Sequence, residues 1–371
     1  MRILHFILGK ANKDRSNGVN QVIAGLCKYS AMNGQSIKVI GLASNAEIEG
    51  EIVQQDGFEV EVYSKLSVKL LRAVIKHLKW CDILHLHGVY NLQNILVGKL
   101  AQRYSIPFVI TAHNGFAPQM KKMRKKLFDF LLQKRHMENA DAVHILAQEE
   151  ASEILAICKP KRFIYVPNVI DLDDFPISRR REKLSDETKE GCGLIVLGYL
   201  GRISEEKNLT CLVEAISKFG AKRSVSLKLA GPNSAYLEKL LSLDNSVNIE
   251  WVGPKYGSEK IEFIKSLDLF VHPSKADVFS ISAMECLAIG TPLLITRDSK
   301  ASYFYNFDGF FMCEATSFGI NQGITQAIDR MNEWTEVTSK GQFLISSLFN
   351  WNTASLSLIE GYKSVLRDKK Q

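Results

Sequence analysis

The sequence predicts an α/β protein of two domains, each a buried parallel sheet wound with helices. Three observations carry this reading. At 371 residues the chain exceeds what one hydrophobic core usually holds. Short apolar runs alternate with helical patterns in two separate series, the rhythm of βαβ units. Between the series lies RRREKLSDETKEGCG, Arg179 to Gly193, charged and poor in apolar residues as a linker is.

The first series opens with a strand over Ile3–Leu8 and a helix from about Gly18 to Asn33. Strands follow at Ile37–Leu42, Ile83–His87, Phe108–Thr111 and Ala142–Leu146. The second series places strands at Leu194–Leu200, Ser226–Ala230, Ile249–Val252, Leu269–His272 and Leu293–Thr296. The final stretch, Trp351–Leu366, has helical spacing in Leu356, Ile359, Tyr362 and Leu366.

Composition narrows the class. A hydrophobic fraction of 46% and a charged fraction of 23% fit a soluble globular protein. The seven cysteines form no C-x-x-C pair, and an odd, scattered set argues for reduced thiols in a cytosol over a disulfide framework. The start, MRILHFILGKANKDR, reads as a first strand and not as a signal peptide. No apolar run reaches the ~18 residues a membrane span needs. The fingerprint G-x-G-x-x-G is absent, which counts against an NAD enzyme. Net charge is +7, and Met120–His136 alone holds seven Lys/Arg against one acid, Asp129. Such a basic face implies an acidic partner. No nucleic-acid-binding motif accompanies it.

Two segments carry the chemistry. DVFSISAMECLAIGTP, Asp277–Pro292, contains a nearly all-apolar helix from about Ile281 to Ile289 with one carboxylate, Glu285, eight positions after Asp277. A lone buried charge costs several kcal/mol unless it is paired or works on a ligand. Upstream, GRISEEK puts Arg202 and Lys207 in a turn between a strand and a helix. Two cations suit a diphosphate, and a carboxylate suits a ribose diol. The bland alternatives are plain: Glu205 and Glu206 pair with the cations, Glu285 is satisfied by backbone or an arginine, and Asp277 is a helix N-cap.

In order and spacing, these segments resemble the donor half of the retaining glycosyltransferases of family four, which have the GT-B fold. Members carry Gly-Arg-x4-Lys after a strand, then an acid, seven residues and a Glu, then Ala-x-Gly-x-Pro. Here the first acid is Asp277 where Glu is usual, a shorter arm. The resemblance implies two Rossmann-like domains with parallel sheets facing a central cleft. Residues 1–175 would bind acceptor, 176–192 link, 193–350 bind the nucleotide sugar, and 351–371 cross back to the first domain. Arg202 and Lys207 would hold the diphosphate, Glu285 the ribose, and Asp277 with the amides of Val278, Phe279 and Ser280 the sugar and phosphate. Pro254 and Lys255 would border the base pocket, with Asn233 a weaker candidate.

In the first domain, Gly18 stands in NGVNQ where members often have Gly-Gly. His113, in TAHNG, matches a family histidine beside the transferred sugar. Such a residue can donate to a sugar hydroxyl or stabilise charge near neutral pH. Arg202, Lys207, His113 and Asp277 are the expected catalytic set. His85 and His87, in ILHLHG, are read as alternating to opposite faces of a strand, a spacing poor for chelating one metal; His87 would line the cleft and His85 the core. Asp171, Asp173 and Asp174 contain a D-x-D, but PNVIDLDDF resembles the family's Asn-Gly-Val-Asp segment. The expectation is therefore no metal and no cofactor, with the cations neutralising the leaving diphosphate.

The implied reaction is sugar transfer with retention by front-face displacement, from a UDP-sugar to a lipid-linked or saccharide acceptor of surface polysaccharide. The alternatives are a GDP-mannose-dependent mannosyltransferase, a sugar-nucleotide epimerase of the same architecture, or a degenerate membrane-docking binding protein. Phe116–His136, with Phe116, Met120, Met123, Leu127, Phe130 and Leu131 at helical spacing beside Lys121, Lys122, Lys125 and Lys126, reads as an interfacial helix on an anionic membrane. That expectation makes the protein cytoplasmic and peripheral to the inner face of the membrane.

Overall fold

Strand sequences such as ILHLH and LFVH are apolar on both faces, as strands covered by helices on both sides must be. In the computed structural model they form the centres of two sheets. The structure describes residues 1–11, 18–43, 46–113, 132–175, 193–219, 224–244, 246–275, 277–278, 280–299 and 307–369. The expected linker, Phe279 and nearly all of the basic helix Phe116–His136 lie outside these residues. Two compact units are present: Met1–Val169 with Trp351–Gln371, and Ile170–Asn350.

The sheet of the first unit comprises β1 Arg2–Ile7, β2 Ser36–Leu42, β3 Glu51–Gln55, β4 Phe58–Tyr63, β5 Ile83–His87, β6 Phe108–Thr111, β7 Ala142–Ile145 and β8 Phe163–Tyr165. Their order is β3-β4-β2-β1-β5-β6-β7-β8, parallel throughout except for the β3–β4 hairpin. The described helices are α1 Gly18–Met32, α2 Val68–Leu78, α3 Leu92–Arg103, α4 Lys134–Asn139 and α5 Gln148–Leu155. A buried cluster with Leu4, Phe6, Leu84, Leu86, Phe108 and Ile110 packs against α2 and α3. The chain's last helix, α12 (Trp351–Asp368), is part of this unit. Trp351 lies against Gly25 of α1, where a Cβ would come within 2.2 Å of the indole. Its ring also stacks on Tyr29 at 6.0 Å.

The second sheet comprises β9 Ile195–Leu200, β10 Val225–Ala230, β11 Asn248–Trp251, β12 Leu269–His272, β13 Leu293–Thr296 and β14 Phe311–Cys313, all parallel, in the order β11-β10-β9-β12-β13-β14. Helices α6 Leu209–Ser217, α7 Ala235–Leu241, α8 Gly257–Lys265, α9 Ile281–Ile289, α10 Ser317–Asp329 and α11 Trp334–Leu348 complete it. Helix α9 is buried over most of its length. It ends at Gly290, whose φ of 83° lies in the left-handed region that glycine tolerates best.

Both sheets reverse direction at one place. After β1 the chain builds β2, β3 and β4 on one side, then crosses to β5 on the other; after β9 it builds β10 and β11, then crosses to β12. Ligands of doubly wound sheets bind at such switch points, outside the carboxyl ends of the strands. The expected functional residues follow these strands.

Candidate functional site

In the second unit, β9 ends at Leu200 and runs into Gly201 and Arg202; β12 ends at His272, five residues before Asp277. The turn Glu205–Lys207 is tied to the loop after β12, because the Glu206 carbonyl accepts from Ser274 Oγ at 3.3 Å and the Lys275 amide at 3.4 Å. This tie brings together two motif residues seventy positions apart. Lys207 Nζ donates to Asp277 Oδ2 at 2.6 Å. His272 Nε2 lies 2.9 Å from the same oxygen, close but poorly aligned for a hydrogen bond. Burial raises the Asp277 carboxyl, but the His272 ring and the Lys207 charge outweigh it and hold the pKa below the ordinary carboxylate range.

Asp277 is not the N-cap of α9. That role belongs to Ser280, whose Oγ accepts from the Ala283 amide at 3.3 Å. The Asp277 carboxylate is thereby free of capping duty. Val278, beside it, is buried.

Arg202 differs from Lys207. Its side chain is 70% exposed, and Nη1 sits 3.7 Å from Glu206 Oε1. An exposed pair of this kind contributes at most about 1 kcal/mol. Its backbone is anchored, with the carbonyl accepting from the buried Tyr199 hydroxyl at 2.9 Å. Lys207 is buried, and its partner Asp277 is part-buried.

Glu285 is buried in α9 and accepts from Lys260 Nζ of α8 at 2.5 Å. The ammonium also lies 5.5 Å from the Phe175 ring centre. Lysine is thus one partner of Glu285. Pro254 is exposed after β11, where the Gly231 amide donates to the Gly253 carbonyl at 3.0 Å. Asn233 is exposed as well. Two participants lacked a signal of their own: His272 ends an ordinary apolar strand, and Lys260 sits in an ordinary amphipathic helix.

The first unit holds a set of buried histidines. His85 and His87 share one face of β5, with ring centres 4.2 Å apart. The expectation of opposite faces is corrected here, since residues two apart on a strand point the same way. His85 Nδ1 meets the Tyr362 hydroxyl at 2.5 Å, and Nε2 meets Thr111 Oγ1 at 2.6 Å. Thr111 Oγ1 meets His144 Nδ1 at 2.7 Å, and His144 Nε2 meets the Val166 carbonyl at 2.8 Å. A carbonyl only accepts, so in a neutral chain every proton is fixed: Tyr362 donates to His85, His85 to Thr111, Thr111 to His144, and His144 to Val166.

His87 is fully packed and joins His5 to His113. Its Nε2 is 2.9 Å from His5 Nδ1, and its Nδ1 is 3.0 Å from His113 Nε2. Burial, with His144 adding to it, lowers the His113 pKa to about 3. That shift favours the neutral imidazole at His113, which is part-buried. Ligand atoms of His5, His85 and His87 lie within 4.8 Å of one another. Both nitrogens of His85 are already engaged by Tyr362 and Thr111, and the set does not fit a metal without breaking those bonds. Gly18 opens α1. In the D-x-D, Asp171 is buried and Asp173 exposed, so its carboxylates do not share surroundings. At the end of the basic segment, Gln133 and His136 are buried, and His136 stacks on Phe108. Among the described residues no helix is long and apolar enough to cross a membrane.

A family model described as Glycosyltransferase Family 4 matches residues 16–174, and one described as Glycosyl transferases group 1 matches residues 180–317. This chain carries the two domains of a GT-B glycosyltransferase. The fold is also that of sucrose-phosphate synthase from Thermosynechococcus elongatus, with a TM-score of 0.79 at 16% identity over 99% of each chain. Anabaena HepE in complex with UDP-glucose gives 0.77 at 16% identity, over 98% of this chain and 100% of that one. An uncharacterized glycosyltransferase of Methanocaldococcus jannaschii is 25% identical over 218 residues, 58% of this chain and 56% of the relative. The chain spans about half the length of the curated relatives it matches.

Proposed function

We propose that this GT-B protein is a retaining glycosyltransferase that moves a sugar from a UDP-sugar to a lipid-linked or saccharide acceptor in surface polysaccharide assembly. The observation that carries the reading is the meeting of Lys207 and Asp277 at the β9/β12 switch point, with exposed Arg202 in the same loop after β9. A diphosphate there is drawn first to Arg202, whose ion pair is weak and exposed. Lys207 is committed to Asp277 and fixes the carboxylate that would contact the donor sugar. Glu285 would take the ribose diol, exchanging part of its bond to Lys260. Pro254 would border the base, and Val278, Phe279 and Ser280 would line the phosphate with their amides.

His113 would donate a hydrogen bond to the transferred sugar. In front-face displacement the leaving phosphate oxygen takes the acceptor proton. The protein then supplies position and charge stabilisation. Arg202 can neutralise the leaving diphosphate, so the reaction in this reading needs no metal and no cofactor. UDP bound to HepE supports the choice of base. The basic segment Phe116–His136 would hold the protein against anionic lipid on the cytoplasmic face, at about 1 kcal/mol per cation near the surface.

The test is a panel of nucleotide sugars, screened by thermal shift and then for transfer, with product anomer assigned by NMR. The expected result is stabilisation by one UDP-sugar and a product of unchanged anomeric configuration. Stabilisation by GDP-mannose alone replaces the donor. Turnover of the nucleotide sugar without acceptor makes the protein an epimerase, and an inverted product refutes retention.

A further inference from the structure

Three imidazoles line up at the first unit's switch point: His5 on β1, His87 at the end of β5, and His113 just after β6. They share two hydrogen bonds, 2.9 Å between His5 Nδ1 and His87 Nε2 and 3.0 Å between His87 Nδ1 and His113 Nε2. The rings are close to parallel, at 19° and 26°. His113 also has a φ of 47°. A non-glycine residue in that region stores strain, and such strain persists where the surroundings hold a side chain in place.

The proton count is restrictive. A neutral imidazole carries one N–H. His87 uses both nitrogens, so it donates to one neighbour and accepts from the other. If it donates to His113, His5 must donate to it, and His113 keeps its own proton on Nδ1. If it donates to His5, His113 must carry its proton on Nε2. The two arrangements interconvert when each bridging proton crosses its own hydrogen bond, one proton entering at one end and one leaving at the other. The far ring therefore decides what the near ring can offer.

We infer that His87 is a positioning residue that sets the proton on His113, with His5 as the remote end of a three-imidazole relay. This rests on the reading of His113 as the residue that meets the transferred sugar. For His113 to donate to the sugar the relay must run from His5 to His113, with His113 Nε2 accepting from His87 and its Nδ1–H available as a donor. His5 touches His87 and not His113, yet it shares control of the tautomer. The second network, Tyr362–His85–Thr111–His144, holds the adjacent ring and keeps His85 out of the relay.

The experiment uses the full chain labelled with 15N-histidine, with tautomers read from two-bond nitrogen–proton spectra. The eight histidines are assigned by single variants. Wild type should show His113 as a single tautomer protonated on Nδ1. His87→Phe keeps a ring in place but removes both bonds; His113 should become a mixture, and kcat for transfer should fall by about tenfold or more with donor KM within about twofold. His5→Leu should also disturb the His113 signals, and His5→Asn, which can still donate to His87, should restore them. Unchanged His113 signals in folded His87→Phe and His5→Leu would overturn the relay. Normal transfer by His113→Ala would instead refute the sugar-facing role, a result that leaves the nitrogen spectra to decide the relay alone.

Discussion

Lowering the pH should unfold the first unit before the second. Burial lowers the pKa of His5 and of His113 to about 3, with His144 adding to the effect. Burial also lowers His136 to about 4, aided by Lys99, and His144 to about 4, opposed by its bond to Val166. His85 and His87 move in the same direction for the same first reason. In the unfolded chain each takes up a proton as pH falls below about 6.5. In the folded unit each resists until much lower pH. The stability they confer is thus complete above the ordinary histidine value and is lost as pH falls toward the folded values.

Each group withdraws up to about 1.4 kcal/mol per pH unit inside that window. From pH 6 to 4.5 the four with stated values together remove about 7 kcal/mol, against a typical domain stability of about 5–15 kcal/mol. Seven of the eight histidines belong to the first unit, and only His272 to the second. Hydrogen exchange checks this unit by unit. Amides of β1 and β5 should lose protection near pH 5 while those of β9 and β12 keep it. Equal protection of β1 and β5 at pH 7 and pH 4.5 would refute the claim that these rings are held neutral by burial.

Four further outcomes follow from the second site and the last helix. Arg202→Ala should leave the unfolding midpoint near wild type, because its ion pair is exposed, while transfer falls by about tenfold or more through loss of a charge-assisted contact of about 1.5–3 kcal/mol. Lys207→Met should instead lower stability by about 1–3 kcal/mol, since it strips the cation from the part-buried Asp277 carboxylate, and denaturant melts separate the two variants. Lys260→Met should weaken nucleotide binding measured by calorimetry if Lys260 orients Glu285, and tighten it if the ribose competes with the ammonium; no change would remove Glu285 from the site. Tyr362→Phe should cost about 1–3 kcal/mol, because it strips the donor from buried His85 Nδ1 and breaks a chain whose proton positions are otherwise fixed.

The parts of the fold legible in the sequence were those with a local signature. The β5, β6, β12 and β13 boundaries fall where the apolar runs begin and end, because strands buried on both faces are apolar throughout. Helix α9 was legible for a similar reason, and Gly290 marks its end. The β3–β4 hairpin went unread although its signal was present. Asp56-Gly57 joins strands paired Gln55 to Phe58, and Gly57 has a φ of 84°. The exposed, polar β3 hid it: EIVQQ carries none of the apolar density that marks the central strands. Strand β8, three residues long, and β14, also three, are too short for periodicity to register.

For the site, the motif residues were legible and their partners were not. Arg202, Lys207, Asp277 and Glu285 stand out as a set because their order and spacing resemble the family's two motifs. Nothing similar ties Lys260 to Glu285, or His272 to Asp277, since those contacts depend on which helix packs beside which strand. The same holds for His5, eighty-two residues from the ring it bonds. Yet these partners decide what each motif residue does. Two cations that look equivalent in GRISEEK differ in burial and in partner: Lys207 is buried and held 2.6 Å from Asp277, and Arg202 is exposed and so weakly paired that a phosphate would displace its carboxylate at little cost. A sequence motif states which groups a ligand needs nearby. In the proposed reading Arg202 meets the ligand and Lys207 holds its neighbour Asp277 still, a division that rests on burial and partners, which only the packed chain has.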